Sequence, residues 1–467
     1  MRRSFWLPVV LAAIAGLSVP LGCYGRGSGT GQPWYGPGTG PIGSFIPGGS
    51  IGGANATEYV YWVNNKTNDI AIYAIDSQSG CITPTLQNNI STGTGPRSIQ
   101  AYPDLTKRLM YVGCDSGDIL PYFVDPQGSG NLTPAATSQN VASLGQFVSM
   151  KFRGDGAFLY ILTNATFGGS GGAAGGGGGA GGGQQQSSAV LTSFAIDPST
   201  GALNPPANQA GKQIQPSIQV APPAPGLKAF ALAIDPNNQF AYVALSDNRV
   251  VALGLDNDGS ITIVTQTAST QNWITGIAEP ICLISYQNYL YESGLVSSDL
   301  DFMQAQQGQL SLSQSTYATG GQLPVAMTIP LTGGFLFTCN NQSGDISQFT
   351  LGSANGVLGP SPPPPPLVGG AISNGAVANA ANLVALAINF GGTFAYALDN
   401  QVSPNPAQIS CYTITGGLLA PATPPQAPPA GPGGPIGAGY SNVQTQKGGA
   451  QGASAPNPDA IIVSHIN

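Results

Sequence analysis

Only 7% of the residues in this 467-residue chain are charged, so few side chains are available for acid–base or electrostatic chemistry. Four of them stand at or near the start of a short apolar run: Arg97 after Pro96, Lys228 before Ala229, Glu279 before Pro280 and Asp459 after Pro458. Brought together, these four would line a ligand pocket. Cationic donors would face a developing negative charge, and Arg97 and Glu279 are the candidate catalytic pair, with the carboxylate as base. The competing reading is four solvated rim charges. His465 is the single histidine and lies late in the last apolar run, as a strand residue would. The chain has no CxxC and no Cys/His cluster, and its Gly-rich stretches lack the strand-and-helix context of a phosphate loop. Neither a metal nor a cofactor is expected.

A repeat must position these side chains. The runs Tyr59-Val60-Tyr61-Trp62-Val63, Leu109-Met110-Tyr111-Val112, Phe158-Leu159-Tyr160-Ile161-Leu162 and Phe240-Ala241-Tyr242-Val243 share one cadence. Tyr289-Leu290-Tyr291, Phe335-Leu336-Phe337 and Phe394-Ala395-Tyr396-Ala397 continue it. Most intervals are about 50 residues, and the two longer ones contain low-complexity inserts. A unit of this length cannot bury its own apolar face and must stack on copies of itself.

The second copy shows the unit most clearly. Pro96 to Tyr102 ends at the turn Pro103-Asp104, the aromatic strand follows, and Gly117-Asp118 makes a second turn. Ile119 to Val124 and Gly130 to Pro134 supply two more strands. Four short strands with a turn between each describe a propeller blade. The expected fold is all-β, a seven-bladed β-propeller of four-stranded blades. The first copy opens directly on its aromatic strand at Thr57-Glu58-Tyr59 and so lacks an innermost strand. The tail Pro458 to His465 has the form of one, so the C-terminal strand should close the ring by completing the first blade.

Net charge is −7 and no Lys/Arg cluster follows Arg3, which argues against nucleic-acid and anionic-membrane partners. Met1-Arg2-Arg3 and the apolar run Phe5 to Leu21 have the form of an export signal spanning 1–23, and the run is short for a membrane span. Leu21-Gly22-Cys23 resembles the end of a lipobox, which makes Cys23 a lipidation candidate, although Pro20 stands where a Leu is usual. Cleavage without a lipid is the alternative. Residues 24–57 are Gly/Pro/Ser-rich and suit a flexible tether, leaving 58–467 for the propeller. Cys81, Cys114, Cys282, Cys339 and Cys411 fall singly in different blades, as buried strand residues would. The expected product is an exported monomer, periplasmic or on the cell surface, with a membrane contact only through an N-terminal lipid.

Strand direction alternates within a blade. Loops joining strands two and three therefore emerge on the same face as the connections between blades. The low-complexity stretches 168–188, 205–226, 360–382 and 421–457 all belong to those two loop classes. They should decorate one face, the one where each innermost strand begins. Long loops on a rigid ring can frame a recognition surface, or can be tolerated drift, since closure entropy rises slowly with length.

The pattern Gly95-Pro96-Arg97-Ser98-Ile99, Pro103-Asp104 and Leu109 to Val112 resembles the bacterial lactonase family. Its members are 6-phosphogluconolactonase-like seven-bladed propellers related to YVTN-repeat surface proteins. Tyr61-Trp62-Val63-Asn64-Asn65, Ile70 to Asp76 and Gly80-Cys81-Ile82-Thr83-Pro84 fit the same template. The resemblance implies hydrolysis of a sugar lactone, with His or Arg after the Pro that opens an innermost strand. Arg97 matches that position, whereas Ile281, Val325 and Asp459 occupy it in other blades. Two functions follow. One is a binding module that presents its insert-bearing face to a small molecule, glycan or protein. The other is a lactone hydrolase dependent on Arg97.

Overall fold

In a computed structural model, residues 32–467 form one compact unit. The structure describes residues 45–46, 58–65, 67–77, 80, 82–126, 128–135, 138–167, 186–208, 214–265, 273–276, 279–294, 297–312, 316–330, 332–352, 356–360, 383–389, 391–399, 408–416, 418–421, 442–444 and 461–465. Cys23, Cys81, Asp459 and most of the low-complexity stretches lie outside them.

Seven antiparallel sheets are present, one for each sequence repeat. Blades two to seven begin with the inner strands Pro96–Ala101, Gln146–Phe152, Ala229–Ile234, Pro280–Tyr286, Pro324–Thr328 and Leu383–Ile388. Blade one takes its inner strand from the other end of the chain. Ile461–His465 pairs antiparallel with Glu58–Asn64, with His465 opposite Glu58 and Ile461 opposite Trp62. The C-terminal closure is therefore real. It removes the sheet edge that Glu58–Asn64 would otherwise expose. Asn389 of blade seven adds a 2.9 Å hydrogen bond from Nδ2 to Glu58 Oε2 across the seam. Phe45–Ile46, within the stretch read as tether, pairs in parallel with the free side of the closing strand.

The aromatic cadence proves to be an inter-blade latch. Each third-to-fourth-strand turn carries a glycine at positive φ, among them Gly80, Gly130, Gly259, Gly308 and Gly356. The first aromatic of a neighbouring second strand lies on that glycine. A Cβ on Gly130 would sit 2.3 Å from the Tyr59 ring, and one on Gly356 2.4 Å from Tyr289. The tyrosine two residues further on then donates to the glycine carbonyl: Tyr61 to Gly130 at 2.8 Å and Tyr111 to Gly201 at 2.9 Å. Tyr291 to Gly356 at 2.8 Å and Tyr396 to Gly80 at 3.1 Å repeat the bond. Ring packing buries apolar area, and the buried phenol is satisfied only if the next blade is in place. Local sequence thus encodes stacking.

Second strands are buried along nearly their whole length, as in Leu109–Cys114, and so form continuous apolar runs. Third strands such as Asp118–Val124 alternate between buried and half-buried positions. The fourth strand is less simple than one short run. In blade two, Leu132–Pro134 covers the far half of the third strand and Gln139–Asn140 returns to cover the near half. Blades four, five and seven repeat this with Trp273–Thr275, Tyr317–Ala318 and Asn442–Gln444. In blade three, Ser217–Gln219 and Ala224–Pro225 do so from within the stretch read as an insert. A third strand left half-paired would expose backbone donors and acceptors, and the returning segment satisfies them.

Candidate functional site

The site is built on a bulge. The register of blades two to seven slips near the start of each inner strand, at its second residue or, in blade three, its third, leaving Arg97, Val148, Phe230, Ile281, Val325 and Val384 as the extra residues. A bulge turns its side chain out of the sheet's regular alternation. Arg97 is the one charged side chain among these six. Its placement starts at Gly95, held at φ 66 with its N–H on Asn68 Oδ1 at 2.8 Å. A Cβ there would lie 2.8 Å from Asp115 Cβ, so glycine allows the two loops to meet. Asp115 N–H then bonds Gly95 O at 2.7 Å.

That contact fixes the chemistry of Arg97. Its Nη2 donates to Asp115 Oδ2 at 3.1 Å, while Nε lies 2.6 Å from Oδ1 as an ion contact outside hydrogen-bond alignment. Both side chains are about one-quarter exposed, at 24% and 27%. Asp115 also lines a cleft of about 550 Å³ with Gln146, Asn164, Thr166, Ser187 and Lys228. These residues come from the ends of blades two, three and four where inner strands begin, which is the face the inserts leave from. The structure therefore brings Arg97, through Asp115, to the same cleft as Lys228, which is exposed. Asn164 shapes the wall, exchanging hydrogen bonds with both backbone groups of Ala229 at 2.7 and 3.2 Å.

Glu279 is placed differently. It occupies the position before the proline that Gly95 fills in blade two, at φ 50, with its N–H on Asn248 Oδ1 at 2.8 Å. Its carboxylate is not among the groups lining the cleft.

Reasoning from sequence missed Asp115, which looks like one more turn residue in Cys114-Asp115-Ser116-Gly117. It also missed Lys151, whose signal was a lone charge inside the run Gln146–Phe152. Lys151 is 4% exposed on the inner strand of blade three, and burial holds its ammonium pKa down to about 7, opposed by Cys282 of blade five. Cys114, Cys282, Cys339 and Cys411 are buried as thiols in four separate blades. Burial pushes the Cys114 thiol up to about 12, which makes it a poor nucleophile.

Ring, closure and latch define a seven-bladed β-propeller. Residues 207–366, less than half of the chain, match the family described as "Lactonase, 7-bladed beta-propeller". Over that stretch the seven-bladed chain is similar to the lactonase-family propellers. Among solved structures it is similar to a candidate 6-phosphogluconolactonase from Bacteroides fragilis, with 13% identity, a TM-score of 0.58, and 90% of this chain and 100% of that one covered. The periplasmic gluconolactonase of Pseudomonas aeruginosa is 14% identical at a TM-score of 0.57, covering 79% and 95%. A functionally unknown protein of Desulfotomaculum acetoxidans is 14% identical at 0.54, covering 78% and 94%. At such identities the likeness concerns the fold alone. No curated protein sequence matches the chain.

Proposed function

We propose that the chain is an exported, envelope-tethered binding propeller whose cleft beside Lys228 takes a small polar ligand. The observation that carries this is the ion pair of Arg97 with Asp115. It engages with a guanidinium the one carboxylate among the described residues that line the cleft, leaving Lys228 and the amide and hydroxyl groups to meet a ligand. Such a lining orients and holds a polar molecule without supplying an obvious base. Gluconate and glucono-δ-lactone are suitable probes. Binding by calorimetry that falls at least about tenfold in Lys228→Ala supports the reading, and unchanged binding refutes it.

The second reading, a lactone hydrolase, is favoured by the family match and by Arg97 standing at a charged bulge on the cleft's edge. Water would add to the lactone carbonyl with Asp115 as base and Arg97 holding it, and the ring C–O bond would break to give the hydroxy acid. Turnover of sugar lactones that disappears in Arg97→Ala establishes this reading; no turnover on several lactones leaves the binding module. Export and lipidation rest on the leading apolar run and Cys23. Incorporation of labelled fatty acid that is lost in Cys23→Ala tests them, and the same label in both forms refutes lipidation.

A further inference from the structure

The outer rim of the ring is finished with proline in five blades. In blade two the fourth strand buries Leu132 opposite Val124 and reaches Pro134 two residues later, opposite Tyr122. Blades one, six and seven repeat this pair as Tyr73 with Pro84, Phe349 with Pro360 and Tyr412 with Pro421. In blade three Pro205 stands two residues beyond the buried Leu203. The ladder shows which way these prolines face. Asp125 N–H bonds Asn131 O and Ala135 N–H bonds Pro121 O, so residues 131, 133 and 135 bond the third strand and the backbone of Pro134 turns outward. A bare sheet edge is a template for another strand, and proline removes its outward donor.

Blades four and five depart from this. Ile263 stands opposite Leu253 and Leu312 opposite Met303, in the places that hold proline elsewhere. Asp256 N–H bonds Ser260 O, so the backbone groups of Ile261 and Ile263 turn outward. Gln215 O takes the Ile261 N–H at 3.1 Å, and among the described residues no strand lies beyond Ile263 or Leu312. Both side chains are exposed, at 59% and 46%; with Val357 of blade six they are the most exposed large apolar residues described. The two edges are neighbours. Gln309 Nε2 of the blade-five strand donates to Thr265 O of blade four at 2.9 Å, tying them across the seam. Neither Ile261–Ile263 nor Gln309–Leu312 contains a charged residue.

We propose that this rim is an interface between two copies of the chain, joined edge to edge about the seam of blades four and five. A closed twofold contact presents the same patch from both partners, and an edge strand paired antiparallel with its own copy has that symmetry. Two adjacent open edges let both blades pair about one dyad, with Ile263 and Leu312 leaving water together. Each copy carries a net charge of −7, and the uncharged strands bring none of it into the contact. Proline denies the other five blades this pairing, which stops the assembly at two rings. A dimer thus replaces the monomer expected from the sequence. Its strands are not among the residues lining the cleft, so it stands or falls apart from the function proposed there.

Sedimentation velocity of the full chain from about 1 to about 100 µM should show a dimer with a dissociation constant below about 50 µM. The double variant Ile263→Pro, Leu312→Pro gives blades four and five the residue that the other blades carry. It should melt like the parent, because the N–H groups it removes face outward, and its dissociation constant should rise at least about tenfold. Ile263→Lys with Leu312→Lys keeps every backbone donor and blunts the same edges by charge, so it should show the same loss even if the proline variant folds poorly. A parent that sediments as a monomer at the highest concentration overturns the proposal, as does parental dimerisation in either folded double variant.

Discussion

Replacing Lys151 by methionine should stabilise the protein, and the gain should depend on pH in a way only a buried, deprotonating lysine produces. Lys151 lies 4% exposed among the inner strands, with its pKa lowered from 10.5 to about 7 chiefly by desolvation. The folded value is below the unfolded one, so folding releases a proton between those two pH values. The unfolded chain binds more protons there, and stability rises with pH. Below pH 7 both states are protonated and the full cost of the buried charge, about 5 kcal/mol, opposes folding. Above pH 7 that cost shrinks by about 1.4 kcal/mol per unit, leaving about 2 kcal/mol at pH 9 and almost nothing above 10.5. Lys151→Met keeps a similar length and flexibility in the same space and has no charge to bury. Urea unfolding of parent and variant at pH 6, 7, 8 and 9 measures the difference, in which the titrations of cysteines and tyrosines common to both proteins cancel. The variant should be the more stable at every pH tested, most of all at pH 6 and 7. A difference flat with pH, or a variant less stable throughout, would mean that Lys151 keeps its charge in the folded ring, and the reasoning would fail.

Four further outcomes follow from the ring. Gly130→Ala should cost about 2–4 kcal/mol in chemical unfolding, from its left-handed backbone and the Tyr59 ring 2.3 Å away. Tyr61→Phe, which removes only the bond to Gly130, should cost about 1 kcal/mol, and equal effects from the two would contradict the latch. Glu279→Gly should raise stability by about 1 kcal/mol by relieving φ 50, and a lower melting temperature would assign the carboxylate a structural partner of its own. Deletion of 459–467 strips the inner strand from blade one; loss of cooperative melting and aggregation by light scattering are expected, and an unchanged melting curve would refute closure by that strand.

Much of the fold was legible because a repeat protein writes the same physical instruction seven times. In five of the seven copies an aromatic, a spacer and a tyrosine stand at the blade–blade latch within three residues, and turn glycines mark where it lands. Even the missing inner strand of blade one was visible as a gap at Glu58 and a surplus at the chain's end. The second piece of each fourth strand was not legible. Segments such as Gln139–Asn140 are strands only because a half-paired third strand lies beside them, and they have no pattern of their own.

The site divides in the same way. The sequence on its own determined that Arg97 and Lys228 sit where inner strands begin, because proline, glycine and the apolar run fix that position locally. Only the tertiary structure decided that Arg97 belongs to Asp115, that Glu279 stands in a left-handed turn away from the cleft's lining, and that Lys151 is buried. Those outcomes depend on a bulge, on the approach of two loops and on the removal of water by neighbouring blades. Such properties arise from distances between chain segments far apart in sequence, and no local pattern contains them.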